Sequence, residues 1–362
     1  FTDVVIADRL GMVHYYKSSQ YLHIVILNSQ FRTENGMLGY NNISLKYSYI
    51  LRLVISYVLI KDSKFEIAVY HFNVNLKNTN IVCSNILNFL LINHPVSMRD
   101  EYQVNLLAKL TVEDVTAEST LAAKNPSFIY ITMGTIDIFM LSNNVRNFRN
   151  SIAVNITDIK SIFNGIRFSL VIRKCIISAF AEEMNEKRGL VVNFTRSMAI
   201  CITAKIVIDN CTFRNHFADY GAAVYLHTDP YKTFDRSTSI INLYVNNTIF
   251  EDNLSYKEGG SIFIGKLIRA QILKAIFVIK SNKMHEFQSN KQSVIKGLFI
   301  SSDSDLILKF SIFFLENQLR TFYSTASLIK VQSNSIRYNN MYFEDVNFHC
   351  PLWQYIGTKY EY

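Results

Sequence analysis

The residues able to do chemistry are scattered along this 362-residue chain, and few of them sit at spacings that chemistry needs. Acid–base cleavage of a polymer calls for paired carboxylates converging on one face. The linear pairs are Asp303 with Asp305, Glu251 with Asp252, and Glu182 with Glu183. Asp303 and Asp305 alternate onto one face of an extended segment, yet Ser301-Ser-Asp-Ser-Asp305 also has the composition of a polar turn. Asp219 and Tyr220 precede a glycine and read as corner-forming residues. The eight histidines, among them His14, His216, His227 and His285, show no metal-ligand spacing. No Gly-x-Ser-x-Gly elbow, P-loop or His-Glu-x-x-His run occurs. The expectation is a non-enzyme with no catalytic residues, no metal and no cofactor.

The remaining reactive groups are thiols and sequons. Cysteines stand at 83, 175, 201, 211 and 350, without the Cys-x-x-Cys spacing of a zinc or redox site. Cys175 and Cys201 lie about one structural repeat apart, which allows stacking and a disulfide; the alternative is that they are small buried hydrophobes. Cys211 stands two residues before Phe213, so both should point inward. Sequons occur at Asn42, Asn155, Asn193, Asn210, Asn246 and Asn253. Asparagine is common enough here that a similar number arises by chance, so their meaning depends on a secretory route. Asn193 and Asn246 fall in strand-to-turn contexts and are the leading candidates for N-linked glycans. Asn253 is also a corner residue of the repeat, where burial would exclude a glycan.

The elements that position these residues are strands. Leu22, Ile24 and Ile26 alternate ahead of Asn28; Ile206 and Ile208 precede Asn210; Ile241, Leu243 and Val245 lead to Asn246-Asn247; Leu306, Leu308 and Phe310 do the same further on. This period of two marks strands with one face in and one out. The residue supply agrees: Phe (26) and Tyr (21) are abundant, whereas Pro (4) and Gly (12) are not. Hydrophobic residues make up 49% and charged residues 18%, enough for a large core and too apolar for long disordered tracts. The net charge of +8 is mild, and no basic block interleaves with aromatics, so nucleic acid is not an expected partner. The apolar run Ile50–Ile60 carries Arg52 and is too short to span a bilayer. Phe1 to Ile6 reads as a strand-like start and Phe348 to Trp353 as an apolar end, so the chain is expected to continue in a larger protein or to stack head to tail.

A local repeat is spelled twice. Phe250-Glu-Asp-Asn253 is followed by Gly259-Gly260-Ser-Ile262, and Phe213-Arg-Asn-His216 by Gly221-Ala-Ala-Val224. Each unit reads as strand, polar corner and Gly-led strand, and buries its apolar face only by stacking on a neighbour. Phe213 should stack over Phe250. Further landmarks at Phe277, Phe314 and Phe343, and earlier ones at Phe31, Phe72, Phe139 and Phe180, suggest coils of variable length, with corner loops such as Thr228–Ser239 and Lys283–Ser293 inserted.

These residues resemble the right-handed parallel β-helix family of pectin-lyase-like architecture. The nearest spelling is its Phe-x-x-Asn and Gly-Gly-Ala-Ile branch, which includes the chlamydial polymorphic outer-membrane proteins. The resemblance is good over about 205–265, moderate over 266–349 and weak before 200. Ser261, Ala222 and His216 depart from the motif. It implies an all-β solenoid of roughly 10–14 coils forming one domain over 1–349, with 350–362 as an extension or a link to a further segment. It also implies an extracellular or cell-surface structural or adhesive role, with partners among further copies of the chain, other surface or matrix proteins, and polysaccharide. The alternative is a carbohydrate-binding or polysaccharide-cleaving β-helix, with rows of Tyr such as Tyr225 and Tyr244 stacking on sugar rings. A bacterial surface passenger domain is a third reading.

Overall fold

A computed structural model describes residues 5–7, 13–15, 21–32, 41–46, 50–69, 71–84, 86, 88–93, 108–120, 127–132, 135–148, 150–155, 166–179, 189–193, 201–227, 238–251, 253–258, 261–264, 272–280, 283–285, 300–304, 310–315, 318–320, 329–333, 339–344, 347–349 and 356–360. Among these residues every regular element is a strand. The strands rotate through three sheets of 12, 12 and 11 members, each strand hydrogen-bonding to the strand three places further along the chain, or four where the extra strands Phe217–Tyr220 and Leu254–Glu258 intervene and pair with each other. All of the pairings are parallel. The fold is an all-β parallel β-helix, within the coil number expected from the sequence.

One coil contains a long strand such as Cys201–Asp209, a corner, a short strand such as Thr212–Arg214, and a third strand such as Val224–His227. We call the corresponding sheets long, short and third. Alternation along the long strands sends Ile206 and Ile208 into the core, with Leu243 and Val245 in register above them. The apolar run that begins at Ile50 is one such strand, Ile50–Ser56, then a corner at Tyr57, then Leu59–Lys61.

The short sheet carries one register position through the stack: Ile6, Phe31, Ile60, Ile81, Ala117, Val145, Ile177, Phe213, Phe250, Met284, Leu319 and Phe348, of which Ile60 to Phe250 are buried. Phe213 and Phe250 stack with ring centroids 5.6 Å apart and planes 9° from parallel, as expected. Phe31 belongs to the same column. Phe72, Phe139, Phe277, Phe314 and Phe343 do not: they stand on the long sheet, and Met284, Leu319 and Phe348 occupy the positions that Phe277, Phe314 and Phe343 were expected to hold. The reason is that long and short strands both end in an inward apolar residue before a polar corner. A Phe near a strand end therefore does not say which sheet it is on, and Phe139 does not point inward: it is half-buried between the buried Ile138 and Met140. Phe180 lies outside the described residues.

A second aromatic series runs through Phe65, Phe89, Phe128 and Phe148, with centroid separations of 5.7, 5.6 and 5.5 Å. Two expectations about segments change. Lys283–His285, read as the start of a loop, is a strand of the short sheet; residues 228–237 lie outside the described residues. Ile356–Tyr360, within the expected extension, pairs with Ile329–Ser333 and adds a strand to the third sheet.

Candidate functional site

The most regular constellation in the molecule is the corner between the long and short sheets. Every coil from Asn28 to Asn247 turns there through one residue of positive φ: Asn28, Tyr57, Asn78, Asp114, Ser142, Lys174, Asn210 and Asn247, with φ between 46° and 56°. Asn and Asp tolerate this left-handed backbone best. Tyr57 and Lys174 adopt it because neighbouring coils hold them in place: Lys174 N–H donates to the Asp209 carbonyl (3.1 Å), and Tyr57 N–H to that of Lys77 (3.2 Å).

The residue after each positive-φ position points inward, giving the column Ser29, Val58, Thr79, Val115, Asn143, Cys175, Cys211 and Thr248. Its register is fixed by matching bonds on successive coils: Asn144 N–H to Val115 O (2.9 Å), Ile176 N–H to Asn143 O (2.8 Å), Thr212 N–H to Cys175 O (2.9 Å) and Ile249 N–H to Cys211 O (2.9 Å). The column is buried, so its polar atoms need internal partners. Hydroxyls and thiols find them two residues back along the chain. Ser29 Oγ donates to Leu27 O (2.7 Å), Thr79 Oγ1 to Lys77 O (2.9 Å), Cys175 Sγ to Arg173 O (3.1 Å), Cys211 Sγ to Asp209 O (3.3 Å) and Thr248 Oγ1 to Asn246 O (2.7 Å). Cysteine here does the work of serine or threonine.

Asn143 acts as a plug. Its Oδ1 accepts from Val115 N–H (2.9 Å), its Nδ2 donates to Val112 O (2.9 Å), and the same Nδ2 lies 3.7 Å from Cys175 Sγ. Cys175 and Cys211 occupy equivalent positions on consecutive coils, each with its thiol donating to a backbone carbonyl two residues back. The neighbouring Cys211 thiol draws Cys175 below its ordinary thiol range against the opposing effect of burial, and Asn143 adds to the lowering. The neighbouring Cys175, followed by burial, pushes Cys211 far above its ordinary range. Cys83, in the short sheet, is also raised, by burial first and the Asp62 carboxylate second.

At the next corner, Asn253 repeats the plug. Its Oδ1 accepts from His216 N–H (3.1 Å) and its Nδ2 donates to Phe213 O (2.9 Å). The Phe-x-x-Asn spelling thus has a physical basis: Phe250 fills the core under Phe213, and Asn253 satisfies the backbone around Phe213. His216 is buried, and its Nε2–H donates to Ile177 O (3.2 Å). Gly221 has φ +53°; a Cβ there would lie 2.3 Å from Val224 O and 2.7 Å from Phe263 Cβ. Gly259 and Gly260 lie outside the described residues.

The sequons separate. Asn253 is corrected as a glycan site, because the residue is 4% exposed and both of its side-chain polar atoms are engaged by backbone. Asn210 is exposed at a positive-φ corner, and Asn246, half-buried, closes the long strand Thr238–Asn246. Asn42 pairs with Lys64, and Asn155 with Asn193, in the third sheet. The pairing of Cys175 with Cys201 is also corrected. Cys201 opens a long strand opposite Thr238, whereas Cys175 sits at a corner opposite Cys211. Counting residues between cysteines missed this. Counting back from the short-sheet column finds it, since Cys175 precedes Ile177 by two positions as Cys211 precedes Phe213.

The remaining candidates do not converge. Asp303 lies opposite Gln332 in the third sheet, Glu251 opposite Arg214 in the short sheet, and Tyr220 opposite Glu258 in a separate two-stranded pairing. Asp305, Asp252, Glu182 and Glu183 lie outside the described residues. His227 is opposite Asn193 and His285 opposite Glu251 and Arg320, while His14 is opposite Ser44. Tyr225 and Tyr244 do not share a row: Tyr225 is buried in the third sheet against Phe263 (centroids 5.6 Å), and Tyr244 is on the long sheet.

No protein-family model matches the chain, and neither a curated protein nor a solved structure matches it. The class that the architecture defines is the parallel β-helix.

Proposed function

We propose that this chain is an extracellular structural or adhesive β-helix of the pectin-lyase-like, Phe-x-x-Asn type, acting as a rigid scaffold at a cell surface or in a matrix. The observation that carries this reading is the short-sheet column, which keeps its register from Ile6 to Phe348 across coils as different as the 21 positions from Ile60 to Ile81 and the 37 from Phe213 to Phe250. Such a column resists bending and shear because each inner coil is tied to two others by backbone hydrogen bonds. Twelve coils at about 4.8 Å make a rod of roughly 50–60 Å. On this reading the chain is part of a larger surface protein or meets further copies of itself, since an uncovered strand edge presents unpaired backbone groups that another strand can pair. Other surface or matrix proteins are the remaining partners on this reading. The polysaccharide reading loses its motivating Tyr row, because Tyr225 is packed away from Tyr244.

The test is glycopeptide mass spectrometry of the chain from its native source, together with incubation on a panel of acidic polysaccharides. A glycan on Asn193, Asn246, Asn210, Asn155 or Asn42, with no depolymerisation, supports the scaffold reading. Six unmodified sequons overturn its extracellular part, and cleavage of any polysaccharide overturns its structural part.

A further inference from the structure

Two cysteines on neighbouring coils at one inward position form an arrangement with its own chemistry. Cys175 and Cys211 are bracketed by the bonds Lys174 N–H to Asp209 O (3.1 Å) and Thr212 N–H to Cys175 O (2.9 Å), which fix them directly opposite each other. Neighbouring strands lie about 4.8 Å apart, inside the Cα range of about 4.4–6.8 Å that a disulfide accepts. Both side chains point inward and are buried side by side in the corner column. The flanking corner residues Lys174 and Asn210 are exposed, so a small opening of the corner brings solvent to the pair.

We propose that Cys175 and Cys211 are a dithiol site that closes into a disulfide and staples one complete coil of the helix. The co-reactant is a low-molecular-weight disulfide. The Cys175 thiolate attacks one of its sulfurs, forming a mixed disulfide and releasing one small thiol. Cys211 then gives up its proton and attacks Cys175 Sγ, forming the protein S–S bond and expelling the second small thiol. Two protein thiols lose two electrons and two protons, and both appear in the two reduced small thiols. Asn143 Nδ2, 3.7 Å from Cys175 Sγ, favours the anion at Cys175 and so makes it the attacking partner. The closed loop holds the strands Ile176–Ser178, Gly189–Asn193 and Cys201–Asp209, and this coil could then not be drawn out of the stack.

The test uses the full chain and oxidised glutathione, with non-reducing peptide mapping. The expected product has lost the mass of two hydrogens and yields one cross-linked peptide pair containing Cys175 and Cys211. The product disappears in Cys175→Ser and Cys211→Ser and persists in Cys83→Ser and Cys201→Ser. Mapping of the unsubstituted chain decides the matter even if a serine variant misfolds. A second readout is mechanical: pulled from its ends, the oxidised chain should release roughly 120 Å less contour than the reduced chain, the length of the 36 positions from Cys175 to Cys211. A stable glutathione adduct that never resolves, a cross-link to Cys201, or unchanged free thiols after oxidation in partly opening denaturant would each overturn the proposal.

Discussion

Replacing Asn143 with alanine should open one corner of the helix. The side chain accepts from Val115 N–H at 2.9 Å and donates to Val112 O at 2.9 Å, and all three residues are buried. Truncation leaves a buried donor and a buried acceptor where no water reaches them. An orphaned group of this kind costs about 1–3 kcal/mol, so the pair sets an expected loss of about 2–5 kcal/mol. Asn144→Ala, one residue on, is the control: its Oδ1 meets only the exposed Arg146 Nε at 3.1 Å, and such a surface contact contributes within about 0.5 kcal/mol. A solenoid need not unfold in one step, so the assay should be local. Amide hydrogen exchange at Val115 reads the lost bond directly. Since 1.4 kcal/mol is a factor of ten, exchange there should accelerate at least roughly thirtyfold in Asn143→Ala and hardly change in Asn144→Ala. Equal exchange at Val115 in the two variants would refute the reasoning that the corner depends on this plug.

Phe213→Ala removes one ring of the stacked pair and should destabilise by about 3–5 kcal/mol, read as a lower midpoint of thermal or urea unfolding. A loss below that of a surface substitution would mean the column is not packed. Gly221→Ala combines a left-handed backbone with a Cβ 2.3 Å from Val224 O, and should cost about 2–5 kcal/mol in the same assay. In a secretory expression host, folded product should carry no glycan on Asn253 and should accept one on Asn210. Glycan on Asn253 in folded material would contradict its buried geometry.

The strands were legible because alternation is a direct consequence of the pleat: Ile206, Ile208, Leu243 and Val245 point inward as their spacing requires. The Phe-x-x-Asn unit was legible because a corner plug needs an amide that both donates and accepts, as Asn253 does. The Gly221 position was legible because a positive φ beside close-packed backbone admits no other residue easily. Assignment of landmarks to sheets was not legible. An apolar residue carries no mark of its sheet, so Met284 falls in register with Phe250 while Phe277 belongs to another sheet. Corners at Tyr57 and Lys174 carry no turn signature, since their conformation is imposed by bonds from adjacent coils. The thiol pair was missed for the same reason: with coils of unequal length, distance along the chain does not report position around the coil.

Parallel, in-register stacking is the claim on which the rest stands, and distances between spin labels on the long sheet measure it most directly. Arg52, Asn73, Lys109, Asp137, Ser169, Lys205 and Asn242 occupy one column on successive coils. Labels at Arg52 paired in turn with Ser169, Lys205 and Asn242 should show backbone separations of about 19, 24 and 29 Å, rising by one strand spacing per coil. Separations that fail to rise in that order, as they would if antiparallel hairpins faced each other across a sandwich, would contradict the coiled architecture.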